Sequence, residues 1–321
     1  MRLFQAYKFL AVLLLMIFPS GCDKMIYDNL SECPQGVNFA FYTQTPCESG
    51  PSYPKAIKQV RVFAFDENEV LAEEYAATDV ALSADYLLKT PFYKVGKFTF
   101  VAWGGEDLST YDFSQFTKGT TTKQQMFLSM KKQAGKVSTH PLPLYYGASP
   151  EPLVITDRTN LGSIFDLVSF NMQELTNRIR FTIHGLSKED TYSVVITDDN
   201  GNYDFNADYA PDSRFDYTSP VHRDGDMLKA DFTVMKLAEG RDTRFTLTST
   251  TTGKVIYSAD LVDDIIMYRG DSGEPPYRLE CNHDFNIIIV FKPNPESQTT
   301  YMLTSIIVND WNVVKRPVIL G

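Results

Sequence analysis

Apolar positions along this chain recur in short alternating runs and only rarely at helical spacing. Val37-Asn38-Phe39-Ala40-Phe41-Tyr42, Gln59-Val60-Arg61-Val62-Phe63-Ala64-Phe65-Asp66 and Arg178-Ile179-Arg180-Phe181-Thr182-Ile183-His184 all alternate at or near period two, the spacing of a strand that turns successive side chains to opposite faces. In the second run Val60, Val62 and Ala64 share one face and Arg61, Phe63 and Phe65 the other, which predicts a strand inside a sandwich. Further strands are expected at 70–75, 85–88, 96–103, 154–156, 165–172, 232–237, 244–249, 254–258, 284–292 and 305–320. Pro, Gly, Asn and Asp bound most of these runs, as they do in all-β chains.

Three stretches break the pattern. Residues 122–134 place Met126, Phe127 and Met130 at helical spacing behind Thr121 or Thr122 as N-cap, and predict a helix. Pro141, Pro143, Pro150 and Pro152 surround Leu144-Tyr145-Tyr146-Gly147, so residues 142–146 are expected to form an edge strand. Asn200-Gly201, between the runs 192–197 and 202–205, predicts a β-hairpin closed by a type I′ turn. Asp198, Asn200, Asn202 and Asp204 also recur at alternate positions, but Gly201 is out of register for a calcium loop and no Glu closes it.

The first 33 residues set the compartment. Arg2 and Lys8 precede a ten-residue apolar run, Phe9 to Phe18, which is half the ~20 residues of a membrane-spanning helix and suits an export signal. Ser20-Gly21-Cys22 resembles a bacterial lipobox, with Pro19 where Leu is usual. That reading cuts the chain before Cys22, makes residues 1–21 a signal peptide and 22–33 a lipidated tether, and places acyl chains on Cys22. Several chains make a lasting anchor where one is marginal.

Loss of residues 1–21 removes two of the 30 Lys+Arg and none of the 40 Asp+Glu, leaving a formal charge of −12. No Lys/Arg run exceeds two residues, which excludes the basic stripe a nucleic-acid partner needs. The 22 Phe and 18 Tyr favour half-buried pleated surfaces, and about 300 residues suggest two domains, divided here as 34–160 and 161–321. With Cys22 lipidated, Cys33, Cys47 and Cys281 remain. An exported protein permits disulfides, so one pair and one leftover thiol are expected, with Cys33–Cys47, which closes a short loop, as the first choice.

No catalytic pattern emerges. His140, His184, His222 and His283 are scattered and form no metal spacing, and there is no nucleophile elbow, phosphate loop or paired-Cys site. Neither catalytic residues, a metal nor a cofactor are expected. Trp103, Trp311, Tyr145 and Tyr146 are candidates for stacking on sugars, weighed against core or edge packing.

Four segments carry a family resemblance: Cys22-Asp23-Lys24-Met25-Ile26-Tyr27-Asp28-Asn29-Leu30-Ser31-Glu32-Cys33-Pro34, Phe100-Val101-Ala102-Trp103, Leu175-Thr176-Asn177-Arg178-Ile179-Arg180-Phe181 and Asn200-Gly201-Asn202-Tyr203-Asp204-Phe205. Their order resembles FimB-type fimbrial anchor lipoproteins. The resemblance implies two tandem transthyretin-like β-sandwiches, lipid tethering at the outer membrane and cell surface, and fimbrial shaft subunits as partners, joined by β-strand addition. It also implies that related shaft subunits are cut after an Arg beyond the first strand. No Arg lies between residues 42 and 59 here, so an uncut subunit is expected. Candidate strand-exchange segments are the first strand, with Val37, Phe39 and Phe41, and the closing stretch, with Trp311 and Val313. A tip or accessory adhesin of the same fold, and a surface glycan-binding lipoprotein, are the alternatives.

Overall fold

The computed structural model describes residues 33–137, 141–158, 161–269, 273, 276–295, 297–313 and 318–320. The expected signal segment, Cys22 and His140 lie outside them. The first half contains β1 (Gly36–Tyr42), β2 (Gln59–Phe65), β3 (Leu71–Ala77), β4 (Leu88–Pro91), β5 (Gly96–Gly105), β6 (Tyr111–Phe113), β7 (Phe127–Met130), β8 (Lys136–Val137), β9 (Leu144–Ala148), β10 (Leu153–Ile155), β11 (Phe165–Asn171) and β12 (Gln173–Glu174). The second contains β13 (Thr176–His184), β14 (Tyr192–Asp198), β15 (Asn202–Asp204), β16 (Phe215–Thr218), β17 (His222–Asp224), β18 (Met227–Met235), β19 (Arg244–Ser249), β20 (Val255–Asp260), β21 (Asp284–Asn294), β22 (Ser297–Val308), β23 (Trp311–Asn312) and β24 (Val318–Leu320). The chain is all-β, as its alternation predicts, and its strands build two sandwiches.

The first sandwich packs β11-β1-β4 against β12-β9-β5-β2-β3, with β10 on the edge of β5. Val37, Phe39, Phe41, Val62, Phe100 and Phe170 are buried between the sheets. The opposite face of the larger sheet is also covered: Phe63, Phe65, Val101 and Trp103 belong to a second core that continues into the C-terminal half. This accounts for the two apolar faces of residues 59–66. Arg61, on the second face, keeps its guanidinium 4.1 Å above the Phe113 ring and pairs with Glu74.

The second sandwich packs β17-β18-β13-β21-β22-β23 against β20-β19-β14-β16-β8, with β24 on β22. Ile179, Phe181 and Ile183 of β13 point into its core, as their alternation predicts. The expected division at residue 160 moves to about Leu175, because β11 runs parallel to β1 and β12 pairs with β9, both in the first sandwich. The halves also interlock. β8, from the first half, lies beside β16, and the small sheet β15-β7-β6 joins strands from both. Phe205 fills the centre of this junction, with its ring 5.0 Å from Phe63, 5.8 Å from Trp103 and 6.3 Å from Phe113.

Two local expectations are corrected here. The helix predicted over 122–134 is a single 3₁₀ turn, Lys123–Gln125, capped by Thr122 with Gln125 reaching back to its N–H, and then strand β7. Met126, Leu128 and Met130 are all buried. The period that governs this stretch is therefore two, and pairing with β6 and β15 overrides the local helical spacing. The runs 192–197 and 202–205 do not form a hairpin either: β14 pairs with β16 and β19, whereas β15 pairs with β7. The chain crosses from one sheet to another at 199–201, and the polar side chains there are structural.

Asn200 is buried and gives its amide to the carbonyls of Met235 and Lys236 (3.2 Å each), while its Oδ1 accepts from Tyr217 Oη at 2.8 Å. Asp198 accepts from Thr243 Oγ1 at 2.6 Å and from the Asp199 N–H at 2.7 Å. Asn202 meets Ser129 at 2.8 Å, and Asp204 accepts from the N–H groups of Asn206 and Asp208. Each member of the alternate acidic and amide series is thus engaged within the fold.

Burial pushes the Asp198 carboxyl up to about 6, against the hydrogen bonds from Thr243 and Asp199 and the charge of Arg241, which pull it down. An unfolded Asp titrates near ~3.9, so the folded chain holds this proton more tightly. The resulting stabilisation is full below about pH 4 and is lost as the pH rises through about 6. Asp198→Asn removes this dependence. Denaturant unfolding of both proteins is expected to show the stability of wild type gaining roughly 2 kcal/mol on the variant between pH 7 and pH 4. A constant difference across that range would contradict the assignment.

Candidate functional site

The strand expected to matter most, β1, is paired along the whole of one edge and over its first four residues on the other. It runs parallel to β11 from Gly36 opposite Phe165 to Tyr42 opposite Asn171, and antiparallel to β4 from Gly36 opposite Pro91 to Phe39 opposite Leu88. Val37 and Phe39 are fully buried and Phe41 nearly so, with the Phe39 ring 5.2 Å from Phe100 and the Phe41 ring stacked 5.4 Å from Phe170. Both ends are fastened. Gln35 donates to the carbonyls of Arg158 and Gly162 (2.7 and 2.8 Å), and the Phe92 N–H donates to the Gln35 carbonyl. Beyond the far end, Asn171 exchanges two hydrogen bonds with the Gln44 backbone, at 2.8 and 2.9 Å. Gly36 is required by closeness, since a Cβ there would lie 1.9 Å from the Thr90 carbonyl oxygen. The alternating residues of β1 therefore serve the chain's own sandwich.

The closing stretch is arranged differently. β22 lies beside β21, and its other edge is covered in two short pieces, by β24 at Tyr301–Leu303 and by β23 at Ile307–Val308. Asn309 and Asp310, at φ 41° and 73°, make the two-residue turn into β23, in the left-handed region that Asn and Asp tolerate better than most residues. Asn309 also accepts from the Asn286 N–H at 2.7 Å and donates to the Asp284 carbonyl at 2.9 Å. Val313 is buried and its N–H reaches the Ile306 carbonyl, whereas the Trp311 side chain is 45% exposed. The other aromatic candidates pack inward. Trp103 is fully buried against Tyr146, Tyr145 is buried, and the Tyr146 hydroxyl donates to the Phe205 carbonyl at 3.2 Å.

Between the sandwiches lies a polar seam. Arg178, at the start of β13, forks onto Asp284 at 2.8 and 2.9 Å and also pairs with Glu174. The Arg178 hydrogen bonds, more than its charge alone, hold the Asp284 carboxyl below the usual carboxylate range. Asn177 is buried, accepting from the Leu237 N–H at 2.9 Å and donating to the Asn282 carbonyl at 3.4 Å. Gln44, Glu48, Glu174, Asn177, Lys236 and His283 line part of a cleft of about 300 Å³ beside this seam, where burial lowers the His283 pKa.

The seam is closed by a disulfide that joins Cys47 to Cys281, with a Cα separation of 5.9 Å, and among the described residues Cys33 is the free thiol. This corrects the expected Cys33–Cys47 pair. The segment between those two cysteines includes all of β1, whose seven residues span about 20 Å at ~3.3 Å each, whereas a disulfide needs Cα atoms within ~7 Å. Cys33 therefore stays before the near end of β1, and the loop after its far end carries Cys47 onto the second sandwich. Shortness in sequence gave no sign of the intervening strand.

Two sandwiches in tandem, a first strand paired within its own sheet and a cross-linked seam make this an all-β, two-sandwich protein. The family model for fimbrillin-A associated anchor proteins Mfa1 and Mfa2 matches residues 30–316, and the chain belongs to that family. It is 33% identical over 298 residues to the minor fimbrium anchoring subunit Mfa2 of Porphyromonas gingivalis, a match that covers 91% of this chain and 89% of that protein. A solved structure of the fimbrial anchor protein Mfa2 from Porphyromonas gingivalis superposes with a TM-score of 0.76 at 29% identity, over 88% of this chain and 100% of the other. A Bacteroides thetaiotaomicron protein of the DUF1812 group shares the fold, with a TM-score of 0.69 at 22% identity over 90% and 99% of the two chains.

Mapping of non-reduced peptides should recover Cys47 linked to Cys281. The double substitution Cys47→Ser, Cys281→Ser is expected to lower unfolding stability by about 2–4 kcal/mol and to leave the fold intact, because the Arg178–Glu174 pair and the Phe205 ring contacts still join the halves. Unchanged stability together with a Cys33-linked peptide would overturn this pairing.

Proposed function

We propose that this chain is the anchoring subunit of a fimbrium, tethered to the outer membrane at the cell surface through acylated Cys22 and joined to shaft subunits by β-strand addition. The observation that carries this reading is β1, buried and paired on both edges within its own sandwich, in a chain with no Arg between residues 42 and 59. A subunit that keeps its first strand has no vacated groove there, which suits a terminal position in the fibre. Membership in the anchor family and likeness to Mfa2 support the same role.

Strand addition would then use the closing edge. The short β23 and β24 cover β22 only in part, so their displacement sacrifices few ladder hydrogen bonds and frees an edge whose main-chain groups can pair with an incoming segment. The lipid supplies retention, and the β-domains supply the docking surface.

In cells making the full chain, Cys22→Ala is expected to move the protein from the membrane fraction to the soluble fraction with its β-rich circular dichroism unchanged. Membrane association that survived this substitution would count against the tether.

A further inference from the structure

Most exposed large hydrophobic side chains of the first sandwich gather around the pole where the chain enters β1. Tyr93 (65%), Val95 (62%), Val154 (62%) and Leu161 (59%) lie in or beside segments that meet at Gln35, and Phe165 and Leu167 (61%) follow on the outer face of edge strand β11. The hydrogen bonds of Gln35 bring these segments together. Its carbonyl accepts from Phe92, its amide donates to Arg158 and Gly162, and the next N–H, of Gly36, reaches the Ile164 carbonyl. Val154 is brought in through β10, whose Ile155 lies opposite Gly96 of β5.

The charge at this pole is unlike that of the chain as a whole. Residues 86–99 contain Lys89, Lys94 and Lys97 and no Asp or Glu, and residues 154–167 add Arg158 against Asp157 and Asp166, so the two segments together are net basic in a protein that carries ten more acidic than basic residues. Lys94 reaches Glu73 at 3.6 Å and remains about half exposed. Tyr93-Lys94-Val95-Gly96-Lys97 thus interleaves an aromatic and an aliphatic side chain with two lysines, the composition that favours a lipid headgroup boundary.

We infer that this pole rests on the membrane surface, with Tyr93 and Val95 entering the headgroup region and the lysines facing lipid phosphates. The inference builds on the proposed acylation of Cys22. Residues 22–32 precede the described chain, and eleven residues reach at most ~40 Å when fully extended. The lipid and the pole are therefore neighbours by connectivity, and the pole is the part of the first sandwich that the tether draws to the bilayer. The second sandwich, beyond the opposite end of β1, projects away from the membrane, toward the space a shaft would occupy.

The test uses the chain from Asp23 to Gly321 with an N-terminal hexahistidine tag, bound to phosphatidylglycerol-containing vesicles through a nickel-chelating lipid, so that it does not depend on acylation. Tryptophan emission is compared on vesicles with brominated and plain acyl chains, after subtraction of the unsubstituted protein. Val95→Trp should shift to the blue and lose much of its emission to bromine. Val255→Trp, at an exposed site on the second sandwich, should do neither, and Lys94→Glu with Lys97→Glu should reduce the quenching of Val95→Trp. Val95→Trp that stays unquenched on vesicle-bound protein would overturn the contact, whatever Cys22→Ala shows about acylation. A concentration-dependent blue shift without vesicles would also overturn it, by assigning the pole to a second copy of the chain.

Discussion

Main-chain pairing of β1 on both edges is the constraint from which the rest of this structure follows. A strand that pairs along its whole length with β11 and over residues 36–39 with β4, and whose alternate side chains fill a sandwich, leaves only by breaking both ladders and emptying the core. Phe39 and Phe41 meet aromatic rings from both sheets, in one core with Val37, so release of β1 would expose a groove lined with Phe100 and Phe170. Its two ends also divide the molecule by role. The Gln35 end gathers the loops of one pole, and the Gln44 end leads into the loop that carries Cys47 to the second sandwich.

The junction between the sandwiches is built to be stiff. Phe205 locks into an aromatic cluster from the first half, Asn202 meets Ser129 across the junction, the buried amides of Asn177 and Asn200 fix the backbone on the second-sandwich side, and the disulfide closes the seam. Buried amides of this kind tie specific backbone positions together, because any slip leaves a donor or acceptor without a partner. In the proposed anchoring role such a junction would carry load through two coupled domains, since β12 ends at Glu174 and β13 begins at Thr176 with no flexible linker between them.

Much of this was legible in the sequence where packing and local pattern agree. The alternation of residues 59–66 and 178–184 predicts strands with the faces they have, and the segments that carry the family resemblance point to the family to which the chain belongs. The failures share a cause. Met126, Phe127 and Met130 suit a helix locally, and a third strand from the other half decides otherwise. Asn200-Gly201 suits a hairpin, but the Asn200 side chain is needed at the backbone of Met235 and Lys236. Cys281 lies 234 residues from its partner, and only the fold brings them together. Nothing in the sequence marked Gln35, whose importance lies in where β1 begins.

The central claim is that the chain works with its first strand uncut. Mass-spectrometric peptide mapping of the protein recovered from intact fimbriae, before and after treatment with an Arg-specific protease under native conditions, addresses it directly. The account predicts that residues 34–42 remain covalently continuous with residue 43 onward in both samples. A mature chain that begins beyond Tyr42, with β1 lost, would contradict it.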